Sequence, residues 1–105
     1  IAPGTQKKHY SPKTPFIASH SVITEVESNS GKKIGFIFFS RKHPKVKTPI
    51  YRILSQNADL DDAMANLYRV MHELDQLNLD LIISELLPNK GVGVSINDRL
   101  IRASR

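Results

Sequence analysis

Short, nearly all-apolar runs alternate with one long amphipathic stretch along this chain, and that alternation outlines its architecture. Ile34-Gly35-Phe36-Ile37-Phe38-Phe39 is apolar throughout and rich in β-formers. A strand apolar on both sides belongs in a sheet covered on both faces, as in layered α/β domains. Leu81-Ile82-Ile83-Ser84-Glu85-Leu86-Leu87 has the same character and is stopped by Pro88. Two shorter runs, Phe16-Ile17-Ala18 and Pro49 to Leu54, predict two further strands, the second with Tyr51 and Arg52 near a sheet edge. Asp59 to about Leu77 differs: Leu60, Ala63, Met64, Leu67, Met71 and Leu74 recur at three- and four-residue steps and make one stripe of a helix. Asp59 suits its N-cap, Asp61 and Asp62 stand at the positive end of its dipole, and Asn78 suits its stop. The methionines in the stripe read as core filler.

A last helix is expected from about Val94 or Ser95 to Ser104, with Ser95 and Asp98 at capping-box spacing and Arg99, Arg102 and Arg105 toward solvent. Residues 19–32 are mixed, with a turn at Ser28-Asn29-Ser30-Gly31, and residues 40–48 form a basic loop around Pro44. Strands separated by a helix place the fold in the α/β class, with right-handed parallel connections. Residues 1–15 stand apart. Pro3, Gly4, Pro12 and Pro15 punctuate them, Lys7, Lys8 and Lys13 lie between, and core-forming side chains are few. Proline fixes its own φ and biases the preceding residue away from helix, so 1–15 reads as an extended linker, solvent-facing or docked on something else, before a domain at 16–105.

Composition narrows the functional classes. With 105 residues, 40% hydrophobic, the chain can pack one core without staples. It has no cysteine, which removes disulfides and Cys-based zinc sites and fits a reducing cytoplasm. No apolar run approaches the roughly 18–20 residues that span a bilayer. The start, Ile1-Ala2-Pro3-Gly4, is neither a signal peptide nor an initiator methionine, so a piece of something longer is expected. Net charge is +5, unevenly spread: residues 1–58 hold ten Lys and Arg against Glu25 and Glu27, while residues 59–105 hold five against eight acids. A basic half attracts phosphate, yet a modest excess is also what an ordinary solvated surface shows.

No catalytic constellation is visible. His9, His20, His43 and His72 are scattered without metal-ligand spacing, and no metal site is expected. No serine sits in a Gly-x-Ser-x-Gly elbow. Gly91-x-Gly93 follows a strand and precedes a helix, where backbone N–H groups can hold an anion, but Ser95 and Ile96 fill the region of the third fingerprint glycine. Lys7-Lys8-His9-Tyr10 sets cations, an imidazole and an aromatic ring on the proline-held arm; a docked strap and a disordered basic tail both fit it.

Three segments together resemble a known family. Ala2-Pro3-Gly4 followed by Lys8-His9-Tyr10-Ser11-Pro12 is similar to the interdomain linker of two-domain threonylcarbamoyl-AMP synthases. Asn66-Leu67-Tyr68 with Leu74-Asp75 resembles a family helix, and Gly91-Val92-Gly93 with Ile96-Asn97-Asp98-Arg99-Leu100 resembles the closing signature. Lys7 departs from the Tyr or Leu often found there, and the short polar stretch after Phe16 implies a trimmed or irregular family helix.

The resemblance implies a small Rossmann-like three-layer domain with a mainly parallel sheet, serving as the accessory C-terminal domain. Its parent would make threonylcarbamoyl-AMP from ATP, L-threonine and bicarbonate, with ATP and magnesium held in an N-terminal YrdC-like domain absent here. The implied partners are that domain, a threonylcarbamoyl-transfer complex and tRNA, all in the cytoplasm. It further implies that the linker covers the catalytic pocket through Lys8, His9, Tyr10 and Pro12, and that Gly91, Gly93, Asn97, Asp98 and Arg99 form a family signature. The alternative is an RNA-binding module acting through its basic surface, for which Arg41, Lys42, Arg99 and Arg102 are the candidate contacts.

Overall fold

All four apolar runs form strands, and every strand pair is parallel. The computed structural model describes residues 10–105, arranged as β1 (Phe16–Ser19), α1 (Val22–Ser28), β2 (Ile34–Phe38), β3 (Tyr51–Ile53), α2 (Leu60–Asp75), β4 (Leu81–Glu85) and α3 (Val92–Ala103). The spatial order is β1-β4-β2-β3. β4 lies inside the sheet, with Phe16 of β1 opposite Ile82 and Phe36 of β2 opposite Ile83. β3 is an edge strand, and Tyr51 and Arg52 are accordingly only half-buried.

Side-chain alternation along the strands divides the interior in two. Phe16, Ile37 and Ile82 face α2 and α3, meeting Leu67, Val70, Met71 and Leu74 of the first and Ile96 and Leu100 of the second. Phe36, Phe38, Leu81 and Ile83 face the other way, against Val22 of α1 and Val46 of the β2–β3 loop. The domain thus has three layers, one built of two long helices and the other of one short helix and a loop.

Two element boundaries differ from the sequence expectation. The mixed segment contains the seven-residue helix α1, which buries only Val22 and carries no side-chain cap bond at Ser21. Helix α3 begins at Val92 with Gly91 as cap, so Ser95 lies inside it and no Ser95–Asp98 capping box forms. The Asp98 carboxylate instead pairs with Arg102 one turn on, at 3.0 Å. Helix α2 starts as expected: the Asp59 side chain accepts the Asp61 and Asp62 N–H groups at 2.8 and 3.1 Å.

Candidate functional site

Asp75, the last residue of α2, is the polar centre of the molecule's N-terminal side. Its Oδ2 accepts the Tyr10 hydroxyl at 2.7 Å and the Lys13 N–H at 3.1 Å. Its Oδ1 accepts the Thr14 N–H at 2.9 Å and the Thr14 hydroxyl at 2.7 Å. One carboxylate therefore gathers four donors from a five-residue stretch more than sixty positions away in sequence. Burial pushes the Asp75 carboxyl up, but the Thr14, Tyr10 and Lys13 donors outweigh it and hold the group below the usual carboxylate range. The same contact acts oppositely on its partner. Burial, the bond to Asp75 and the nearby negative charge push the Tyr10 phenol well above its ordinary value, so it stays a donor.

Rings complete the anchor. Tyr10 meets Tyr68 edge-on at 5.2 Å and His72 at 6.1 Å, while Tyr68 and His72 stack at 6.1 Å. Tyr68, His72 and Asp75 share a face because they are three to four residues apart on α2. Tyr10 also packs against the core cluster between α2, α3 and the sheet, Thr14 is buried, and Pro12 is half-buried. The described end of the linker is therefore seated on this domain's own helix through Tyr10 and Thr14, while Ser11, Lys13 and Pro15 stay exposed; Asp75 supplies acceptors for a segment whose prolines leave few backbone partners. Lys8 and His9 lie outside the described residues.

The closing signature is built differently. Asn97 is buried, and its side chain accepts the Leu87 N–H at 2.8 Å and donates to the Leu87 carbonyl at 2.9 Å. It thereby satisfies both backbone groups of the residue that leaves the sheet after β4. Gly91 has φ +52°, and a Cβ on Gly93 would stand 2.0 Å from the Pro88 carbonyl oxygen. The Gly93 N–H is already donated to Lys90 O at 2.9 Å. Both glycines are thus required by the backbone turn itself. Arg99 contacts the Met64 sulfur at 2.9 Å, and the Asp98 pair with Arg102 is exposed. Among the described residues no group of three or more His, Asp and Glu could hold a metal ion, and no helix is long and apolar enough to cross a membrane.

The four candidate RNA contacts do not converge. Arg41 and Lys42 lie in the β2–β3 loop, which packs through Val46 on the α1 side, whereas Arg99 and Arg102 belong to α3 on the opposite face. Lys42 turns inward and donates to Val46 O at 2.5 Å. Sequence reasoning passed over two other groups. Asp75 was noticed only as the end of a helix motif, and Lys32, Lys33, Lys45 and Lys47 line one groove together.

A family sequence model, described as threonylcarbamoyl-AMP synthase, C-terminal domain, matches residues 1–105. The chain belongs to that family. Two threonylcarbamoyl-AMP synthases are similar to it: that of Bacillus subtilis, 26% identical over 99% of this chain, and that of Pyrococcus abyssi, 25% identical over 98%. The chain spans about a third of each relative's length, 32% in both cases. Two solved structures share the fold. P. abyssi Sua5 complexed with L-threonine superposes with a TM-score of 0.70 at 22% identity, over 90% of this chain and 29% of that one. A P. abyssi Sua5 variant with an adjacent His and Tyr both replaced by Ala gives 0.67 at 21%, over 89% and 28%. Membership of this C-terminal domain family connects the chain with threonylcarbamoyl-AMP synthases.

Proposed function

We propose that this chain is the accessory domain and pocket-covering strap of a protein whose other domain makes threonylcarbamoyl-AMP from ATP, L-threonine and bicarbonate, in the cytoplasm, for transfer to tRNA. The supporting observation is the anchor at Asp75, where one carboxylate holds Tyr10, Lys13 and Thr14 at once. A strap that folds over a neighbouring pocket needs one end fixed. Lys8 and His9 immediately precede the anchored Tyr10 in the sequence. In this reading His9 and Lys8 reach the phosphate side of the pocket, and the strap keeps water from a carbamate mixed anhydride. ATP and magnesium, in the same reading, are held by the other domain. Relatives support the strap reading: a P. abyssi variant was made at an adjacent His and Tyr, the residue types of His9 and Tyr10.

The test uses the intact protein. His9→Ala/Tyr10→Ala and Asp75→Ala should each lower threonylcarbamoyl-AMP synthesis about tenfold, equivalent to ~1.4 kcal/mol of transition-state stabilisation, or raise escape of the unstable intermediate. Unchanged synthesis and unchanged leakage in both variants would remove the strap role. The second reading, RNA contact, loses support at Arg41, Lys42, Arg99 and Arg102, which the fold separates.

A further inference from the structure

We propose that the groove between α1 and the β2–β3 loop binds the phosphate backbone of RNA, with Lys32, Lys33, Lys45 and Lys47 as its contacts. The groove has a volume of about 350 Å³ and is floored by apolar residues, including Val46 and Ile50. All four lysines are exposed. They come from two places: Lys32 and Lys33 lead into β2, and Lys45 and Lys47 flank the buried Val46 that pins the loop to the sheet. The loop is further held by Lys42 donating to Val46 O and by the His43 ring accepting the Lys45 N–H at 3.1 Å. The cations on this rim are therefore set on an ordered segment.

Their charge is uncompensated. The Lys32 ammonium donates to the Asn29 amide oxygen at 2.8 Å and Lys47 to the Pro44 carbonyl at 3.4 Å, both neutral acceptors. Every ion pair among the described residues is made by an arginine elsewhere: Arg52 and Arg69 with Glu73, and Arg102 with Asp98. Asp80 accepts the Lys33 backbone N–H at 2.8 Å, and Glu25 and Glu27 flank the groove-lining Val26 on α1. Four exposed lysines on one rim, none of them in an ion pair among the described residues, favour an anionic occupant.

The geometry favours a polymer over a small phosphate ester. The lysines stand around an open rim and do not converge in an enclosed pocket, and no arginine lines it to fork onto a single phosphate. Lysine acts as a point charge, and several such charges along a groove gain affinity from a polyanion through counterion release. The site is distinct from the Asp75 anchor and does not depend on the strap reading.

The experiment measures binding of a tRNA transcript to the intact protein at about 50 and about 200 mM salt. It compares a variant with Lys32, Lys33, Lys45 and Lys47 all changed to Gln against a charge-matched variant with Arg69, Lys90, Arg102 and Arg105 changed to Gln. The groove variant should bind at least about tenfold more weakly at low salt, with a log–log salt slope shallower by about three. The matched variant should lose less than about threefold, since distant surface charges are screened. Lysine acetylation footprinting of the unmodified protein should show the four groove lysines protected by tRNA, a readout independent of either variant's folding. Equal losses in the two variants, unprotected groove lysines, absent tRNA binding at low salt, or loss of ATP or pyrophosphate binding with tRNA binding intact would each overturn the proposal. Synthesis of threonylcarbamoyl-AMP should be unchanged in the groove variant, which separates this result from failure of the strap.

Discussion

Two side chains, Asn97 and Asp75, perform the same operation in two different motifs of the family pattern, and the contrast separates structure from coupling. Each takes backbone groups of another segment as its partners. Asn97 acts locally: it is buried, neutral, ten residues from Leu87, and completes the turn that β4 makes into α3. Asp75 acts over more than sixty residues, carries charge, is only half-buried, and holds a stretch that makes no strand of its own. A buried neutral amide that satisfies both groups of one peptide belongs to the fold. A charged anchor at a domain edge, with rings packed around it, is a means of holding something that leads elsewhere. The two motifs can be equally recognisable and still do unlike work.

The comparison predicts a descending series of effects. Gly93→Ala should be the most damaging, because the new Cβ would meet the Pro88 carbonyl at 2.0 Å and the turn backbone would have to move. A loss of about 3–4 kcal/mol is expected in chemical or thermal unfolding. A near-neutral result would show that the close approach is not needed. Asn97→Ala should cost about 2–3 kcal/mol, since it leaves the Leu87 N–H and carbonyl buried without partners. Neither change should release residues 10–14, as followed by hydrogen exchange.

Tyr10→Phe should do the reverse. It should cost only about 1 kcal/mol of global stability, while exchange and protease cleavage at the strap increase. The strap should also respond to pH in both directions. Asp75 is depressed in the folded state, so its contribution is present above about pH 4 and is lost as pH falls through the lower folded value. Tyr10 is raised, so its share is present below about pH 10 and lost as pH climbs through the higher folded value. Strap exchange that stays flat across both acid and alkaline limits would break the contrast.

Much of the fold could be read from the chain because its strands are covered on both faces. Double coverage writes continuous apolar runs such as Phe36 to Phe38 and Leu81 to Ile83, and α2 shows its stripe because one side alone is buried. Periodicity alone did not mark helix α1, since seven residues with one buried side chain carry too little of it; only the family resemblance implied a trimmed helix there. The start of α3 was misplaced because Ser95 and Asp98 have capping-box spacing, whereas close packing of Gly93 against Pro88 starts the helix earlier. The site was less legible. Tyr10 could be singled out from its motif, but its acceptor lay in another motif, and only the three-dimensional path joins them. The lysine groove was hidden in the same way: Lys32 and Lys33 join Lys45 and Lys47 only after β2 and β3 pair and the intervening loop folds back.

The placement of β4 has a consequence for how such a chain is made. The strand synthesised last is the one that joins β1 to β2, so until Glu85 has emerged the outer strand and the β2–β3 pair have no common sheet. A nascent chain of this order holds its halves apart and gains cooperativity late, with long-range pairing as the slow step. Asp75 sits directly upstream of that closing strand, so the seat for Tyr10 acquires its rigid support only when the sheet is sealed. Assembly order alone would keep the strap from docking on an unfinished body.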